Sequence, residues 1–219
     1  MAGAGTAELF VLLLVDARLP TGAHAHSAGL EPLLLASPDG LTTDELAAFA
    51  ADRLRTVAAV EAATAVLATR GDDVAGLVDA WAARTPSPAV RDASVRLGRG
   101  YLRLARRLWP DAVDDTLDGA PRAVVAGVMA GLAGVEPLSL ARALLFEDVQ
   151  SVASAALKLL PGDPVETVAW TAGLHARIDE VARRCAAVTS TEDLPSAGAP
   201  RADELAERHR SWQRRLFHA

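Results

Sequence analysis

Residues Ala123–Leu160 decide the fold and read AVVAGVMAGLAGVEPLSLARALLFEDVQSVASAALKLL. The first part, Ala123–Val135, is apolar on all sides and contains three glycines, which lower helix propensity but leave room for a neighbouring helix. We therefore predict a central, buried helix there. A second long apolar helix is predicted over Leu138–Leu160, where Pro161 and Gly162 end it.

The composition of the whole chain also favours helices. Of the 219 residues, 51% are hydrophobic and only 4% are aromatic, so the core must consist mainly of Ala, Leu and Val. Ala and Leu are strong helix formers, whereas the residues that favour strands are scarce. The longest apolar runs, Leu9–Val15 and Ala123–Val135, are shorter than the roughly 20 residues that span a bilayer. We predict an all-α protein with no membrane span.

The rest of the chain reads as consecutive helices separated by short polar breaks. Thr42 and Glu45 have the spacing of a capping box and begin an amphipathic pattern that continues to about Thr69. Further helices are predicted over 7–17, 30–36, 74–83, 88–108, 166–188 and 203–217. These form one all-helical domain over 1–219, a bundle of about nine or ten helices with no significant sheet. We expect a polar loop at 189–200 and a C-terminal helix or tail at 201–219.

The charge and the cysteine count narrow the possible partners and the compartment. The formal net charge is −6 and no basic stripe is evident, which argues against nucleic-acid binding. A single cysteine, Cys185, excludes an intramolecular disulfide and a cysteine cluster for metal, and it fits a reducing cytoplasm. Because Glu8 precedes the short run Leu9–Val15 and no Lys or Arg does, we expect no secretory signal.

Ser27, in the stretch Ala25–Gly29, resembles a degenerate nucleophile elbow. That chemistry requires a strand before the serine and a helix after it, so that the hydroxyl is held on a strained turn. Here Leu19–Gly22, a turn sequence, precedes the motif and no β-rich segment supplies a sheet. Hydrolase activity is therefore disfavoured.

The strongest alternative as an enzyme comes from Asp114–Asp118, which spells D-D-x-x-D. All-α prenyl-diphosphate enzymes use this pattern on one helix face to bind Mg²⁺. In this chain the motif lies between Pro110 and Gly119, where a solvated acidic loop is favoured. The alternative requires Asp114 and Asp118 to face a deep pocket.

Three further features suggest metal, nucleotide or thiol chemistry, each weakly. His24 and His26 form H-x-H, but no third or fourth ligand is nearby, so a structural or interface role is favoured over tight metal binding. The only lysine, Lys158, has no phosphate-binding glycine frame. Cys185 follows two arginines that could lower its pKa, although a small residue packed on a helix is the better interpretation. We predict no cofactor and no catalytic site.

The segment Leu19–Glu31, LPTGAHAHSAGLE, resembles the N-terminal signature of the urease accessory protein UreF family, approximately L-P-x-G-G-F-S-H-S-x-G-L-E. The second glycine and the phenylalanine of that pattern are Ala23 and His24 here. The matching positions are Leu19, Pro20, Gly22, His26, Ser27, Gly29, Leu30 and Glu31.

The resemblance extends along nearly the whole chain. Arg96–Leu104 is similar to a mid-chain M-G-x-x-L-L-R-L helix, and Ala155–Pro161 is similar to the helix end A-A-V-R-L-x-P. His209, followed by Arg215-Leu216-Phe217, is similar to the closing H-E…Y-S-R-L-F. Two elements of the family pattern differ: Gly162-Asp163-Pro164 replaces Leu-Gly-Gln, and Gln213-Arg214 replaces Tyr-Ser.

This resemblance implies a helical adaptor that is not an enzyme. Such a protein joins a UreD/UreH-like accessory protein to a UreG-like GTPase, forms a homodimer within the complex and helps to deliver nickel to apo-urease. The GTPase could be biased between its states if the adaptor makes different contacts with each. Nickel would cross the complex without a high-affinity site in this chain. The partner-binding candidates are Gly22, His26, Ser27, Gly29, Leu30, Glu31, Arg215, Leu216 and Phe217.

Overall fold

The computed structural model describes residues 4–21, 26–71 and 73–212. Its helices in chain order are α1 (Ala4–Leu14), α2 (Leu30–Leu35), α3 (Thr43–Arg55), α4 (Val57–Ala68), α5 (Val74–Ala83), α6 (Pro88–Leu108), α7 (Arg122–Leu132), α8 (Pro137–Leu159), α9 (Pro164–Gly173), α10 (His175–Ala186) and α11 (Pro200–Arg210). A short 3₁₀ turn covers Asp115–Leu117. Within these ranges there is no β-sheet, and the all-α prediction is confirmed.

Two helices that were predicted as continuous are each divided. Thr56 leaves helical geometry (φ −118°, ψ −105°) and its hydroxyl donates to the Asp52 carbonyl oxygen at 2.9 Å, so α3 and α4 are separate. Such back-bonding by threonine commonly bends a helix. The second break falls at Gly173 and Leu174, between α9 and α10, where glycine weakens the helix. The Thr42–Glu45 capping box is present as predicted.

The central helix is α7, as predicted from its apolar run. All but three of its residues are buried, and it packs mainly against α4 and α6. Glycine makes this close packing possible, because a Cβ atom at Gly127 would lie 2.2 Å from the Ala65 carbonyl oxygen of α4. At Gly98 of α6 the corresponding distance, to the Ala120 carbonyl oxygen, would be 2.3 Å. Small residues therefore set the spacing between the central helices.

The residues of α6 that form the core differ from those that its sequence predicts. The apolar pattern predicts a core face of Val90, Val95, Leu97, Leu102 and Leu104, but of these only Leu102 is buried. The inner face consists mostly of small residues. They are Ala89, Ala93, Ser94, Gly98 and Ala105, with Tyr101 as the large exception. The close approach of α6 to α7 leaves no room for longer side chains. The outer face carries several arginines, so the interpretation that the chain has no basic stripe is wrong for this helix.

Exposed apolar residues concentrate on α1 and α9. Leu9 and Leu12 of α1 are 66% and 63% exposed, and Val165 and Val168 of α9 are 70% and 66% exposed. Within the described ranges, no helix combines the length and apolarity needed to cross a membrane. Apolar surface of this extent commonly marks contact with another protein.

Candidate partner-binding site

The end of the signature segment forms a tight turn that begins α2. Ala28 and Gly29 both have positive φ, 51° and 82°, and Gly29 is the residue before the first turn of the helix. Glycine adopts this conformation without strain, which explains its presence at this position. The Ser27 carbonyl oxygen accepts a hydrogen bond from the Leu30 amide at 2.9 Å, and its hydroxyl accepts one from the Glu31 amide at 3.3 Å. Ser27 therefore holds the turn together.

Glu31 joins this turn to the last described helix. Its carboxylate lies 3.0 Å from His209 Nε2, and both side chains are almost fully buried. The His209 ring also packs edge-on against Trp212, with 5.1 Å between ring centroids. The two segments, 178 residues apart in sequence, are thus brought to one region of the molecule.

A second polar contact fixes α11 to the beginning of α6. The Glu207 carboxylate accepts hydrogen bonds from the Ser87 hydroxyl at 2.6 Å and from the Ala89 amide at 2.7 Å. These bonds lower the pKa of Glu207. Negative charge at a helix N-terminus is favourable, since the amide groups there have no partner within the helix. α11 is therefore held at both the signature turn and α6.

A buried ionic cluster lies beneath the turn, centred on Arg122 at the first position of α7. The Arg122 guanidinium donates to Glu61 at 3.2 Å and also pairs with Glu147 of α8. Glu61 accepts two further hydrogen bonds, from Trp81 Nε1 at 2.9 Å and from the Ser94 hydroxyl at 3.0 Å. The cluster links α4, α5, α6, α7 and α8.

The electrostatic consequence is that Arg122 stays charged although it is buried. Burial alone would lower its pKa, but the facing carboxylates of Glu147 and Glu61 raise the pKa well above the ordinary value. Burial raises the pKa of the nearby Tyr101 hydroxyl, and Glu147 adds to that effect. A neighbouring ion pair joins Arg53, which is partly buried, to Asp148, which is buried, with 2.5 Å between their closest atoms.

Two clefts meet at this region of the surface. One, of about 290 Å³, lies between α1 and α8, and the other, of about 120 Å³, lies between the turn, α6 and α11. Both are lined by His26, Glu147 and Ser151. Of the signature side chains that the structure describes, His26 is thus the one that lines both clefts.

The predicted partner-binding residues separate into three groups. Ser27, Leu30 and Glu31 are buried and shape the turn from within, while His26 and Gly29 are half-buried at its surface. Gly22, Arg215, Leu216 and Phe217 lie outside the described residues. Glu61, Arg122 and Glu147 were missed as site residues. The available signal was charge in apolar surroundings: Arg122 begins a helix whose other residues are all apolar or glycine, and Glu147 interrupts the long apolar run of α8.

The two motifs that suggested catalysis, at Ser27 and at Asp114–Asp118, lack the surroundings that those reactions require. The Ser27 hydroxyl is buried and bonded to a backbone amide within a turn that no strand precedes. Asp114 and Asp118 lie on an exposed loop rather than in a deep pocket, and Asp115 and Asp118 each accept a hydrogen bond from Arg106 at 2.9 Å. The requirement of the prenyl-diphosphate alternative is therefore not met.

The structure also shows the surroundings of Cys185 and of the side chains that could bind a metal ion. Cys185 is buried, and this burial raises the pKa of its thiol to about 11, opposite to the direction a reactive cysteine requires. Among the residues that the structure describes, no three histidine, cysteine, aspartate or glutamate side chains are grouped so as to hold a metal ion. His24 lies outside these residues.

Comparison with known proteins indicates the same family as the signature segment, and the match to the family model lies outside that segment. The UreF family model matches residues 41–175, a range that begins after the signature turn. A urease accessory protein UreF from Mycobacterium marinum is 40% identical over 216 residues, covering 97% of this chain and 99% of the relative. The UreF of Mycobacterium tuberculosis is 39% identical over 218 residues (97% and 99%), and that of Mycolicibacterium vanbaalenii is 38% identical over 214 residues (94% and 96%).

These relatives match the chain along almost its whole length, and the family model covers more than half of it. The helical architecture and the turn at His26–Glu31 fit the same assignment. The chain belongs to the UreF family of urease accessory proteins.

Proposed function

We propose that this protein is a non-catalytic scaffold for urease maturation in the cytoplasm. It bridges a UreD/UreH-like accessory protein and a UreG-like GTPase, and this complex delivers nickel to apo-urease. The scaffold acts by aligning its partners and by contacting one state of the GTPase more strongly than the other, since only differential contacts shift an equilibrium. Nickel is the cargo of the complex.

The buried pair of Glu31 and His209 is the observation that most strongly supports this proposal. It joins the signature turn, which sequence analysis predicted as an interface element, to α11, while the other predicted element, Arg215-Leu216-Phe217, lies outside the described residues. A composite surface of this kind is expected of an adaptor, because a partner can contact both segments at once. His26 and Gly29 are the described signature residues that reach this surface.

The homodimer expected for this scaffold has a suitable surface on α9. Val165, Val168, Ala169 and Ala172 are exposed and fall within about 100° of one another around the helix axis. The larger side chains lie at the N-terminal end of this stripe and the smaller ones at the other end. When two copies pack antiparallel, the valines of each copy face the alanines of its partner. We propose that this surface, called the α9 stripe below, forms the dimer interface.

The functional proposal is tested in a urease-producing strain from which this gene has been deleted. We expect the strain to lose most of its urease activity and the wild-type gene to restore it. The His26→Ala variant should weaken binding to a co-encoded accessory protein by about tenfold, or about 1.4 kcal/mol, and should restore less activity. The measurements are urease activity in lysates and affinity of the purified proteins by biolayer interferometry.

Asp114→Ala is the control, because Asp114 is exposed and lines neither of the two clefts at His26. This variant should bind and restore urease activity as the wild type does. Full urease activity in the deletion strain, with no second copy of the gene, would contradict the scaffold proposal. Normal binding by His26→Ala would contradict the assignment of His26 alone.

The α9 stripe is tested separately with Val168→Asp. A carboxylate placed in an apolar interface loses its hydration without gaining a partner, so association should be strongly weakened. By light scattering after gel filtration, we expect wild type near twice 22.8 kDa and the variant near 22.8 kDa. Leu35→Asp serves as control, because Leu35 is comparably exposed (61%) but lies on α2. A Val168→Asp protein that remains dimeric would refute this interface.

A further inference from the structure

The arginines of α6 give this helix a charge opposite to that of the whole protein. The helix contains six arginines and one aspartate, a net charge of +5, whereas the chain carries −6. The remainder of the chain therefore carries −11. Two arginines, Arg106 and Arg107, lie in the last turn, where they complement the helix dipole. The dipole does not account for the others.

Five of these arginines form a continuous stripe. At 100° per residue they fall within a sector of about 100°, and the distance from the first to the last is about 16 Å. Four are exposed and Arg106 is 40% exposed. The members of this α6 arginine stripe are Arg96, Arg99, Arg103, Arg106 and Arg107.

Intramolecular contacts use only part of the stripe. Arg106 bridges to Asp115 and Asp118, and Arg103 donates to the Pro20 carbonyl oxygen at 3.2 Å. Arg99 and Arg107 make no ion pair or hydrogen bond with the rest of the described chain. The contact to Pro20 also places the stripe beside the start of the signature segment.

The charges favour a protein partner over a nucleic acid. A chain with a net charge of −6 repels a polyanion at long range, and one helix supplies the only concentrated positive surface that we find among the described residues. An acidic patch on a protein presents carboxylates over a short distance, which suits a stripe of about 16 Å. Arginine is well matched to carboxylates, because its planar guanidinium can bind both oxygens.

We propose that the α6 arginine stripe docks an acidic surface of a protein partner. The inference rests on the proposed function, since the partner is taken to be another component of urease maturation. It assigns to α6 a contact separate from the turn at His26–Glu31 and from the α9 stripe. Electrostatic complementarity of this kind speeds association and selects the partner.

The test uses the full-length Arg99→Glu/Arg107→Glu variant. Neither side chain has an ion-pair or hydrogen-bond partner to lose among the described residues, so the fold should be retained, as checked by circular dichroism. The probes are the co-encoded accessory proteins and apo-urease, each measured separately by biolayer interferometry over a series of NaCl concentrations. We expect affinity for one of them to fall by about tenfold, with a shallower salt dependence than wild type.

The matched control is Arg183→Glu/Arg184→Glu, which makes the same charge change on α10, where both arginines are exposed and pair within their own helix. It should bind as wild type does. Suppose that wild type binds at least one of these proteins and that the α6 variant binds each of them with the same affinity as wild type. The stripe proposal then fails while the scaffold proposal stands. If wild type binds none, both fail. An effect confined to a DNA duplex probe would also overturn the stripe proposal.

Discussion

Arg122→Met should lower the free energy of unfolding by about 3–5 kcal/mol, the range for removing one partner of a buried ion pair. The substitution leaves Glu61 and Glu147 buried and facing each other without the guanidinium between them. Methionine replaces much of the volume, so the loss reports on charge rather than on a cavity. Urea denaturation followed by circular dichroism provides the measurement, with attention to whether the transition remains two-state.

Arg142→Met is the matched control for this prediction. Arg142 pairs with Asp179 at the surface and its side chain is 46% exposed, so its removal should change the free energy of unfolding by less than about 1 kcal/mol. Adding Glu147→Gln to Arg122→Met removes one of the two unpaired charges and should recover part of the lost stability. A loss in Arg122→Met no greater than that in Arg142→Met would show that the cluster contributes little.

Gly127→Ala should destabilise the protein by about 2–3 kcal/mol, in the upper part of the range for overpacking a core. The added Cβ would lie 2.2 Å from the Ala65 carbonyl oxygen and 2.6 Å from the Ala68 Cβ. Neither neighbour can rotate away, because one is backbone and the other a methyl group fixed to it. The helices α4 and α7 must therefore move apart, which loosens the centre of the molecule. The measurement is the thermal and urea stability of the variant.

Gly5→Ala controls for the gain in helix propensity, which favours alanine by about 1 kcal/mol within a helix. Gly5 lies in α1, and a Cβ atom there meets nothing within 4 Å. We expect Gly5→Ala to be neutral or slightly stabilising. If Gly127→Ala were equally harmless, the close approach of α4 and α7 would not depend on glycine.

Much of the fold was predictable because local signals and burial agree. α5 and α6 have the predicted bounds, since proline and serine mark the start of α6 and the breaks around both helices are unambiguous. The uniform apolarity of Ala123–Val135 correctly indicated the central helix. The division at Thr56 was not predictable, because the apolar spacing continues across it and a single backbone kink leaves no trace in that pattern.

The inner face of α6 was missed for a related reason. Sequence patterns identify buried positions by large apolar side chains, whereas here close helix contact selects small ones such as Ala93 and Gly98. The candidate site was predicted in part. The signature located the turn, but nothing local in the sequence joins Glu31 to His209 or gathers Glu61 and Glu147 around Arg122. Those contacts depend on tertiary packing.

The distance in sequence between Glu31 and His209 also determines when their contact can form during synthesis. After Glu31, a ribosome adds 178 residues to reach His209, which takes about 9–36 s at typical rates of elongation. During that interval Glu31 has been made but its partner has not. A nascent chain can therefore carry the complete signature while the turn is not yet joined to α11. A partner that recognises the turn together with α11 would therefore bind only after translation has passed His209.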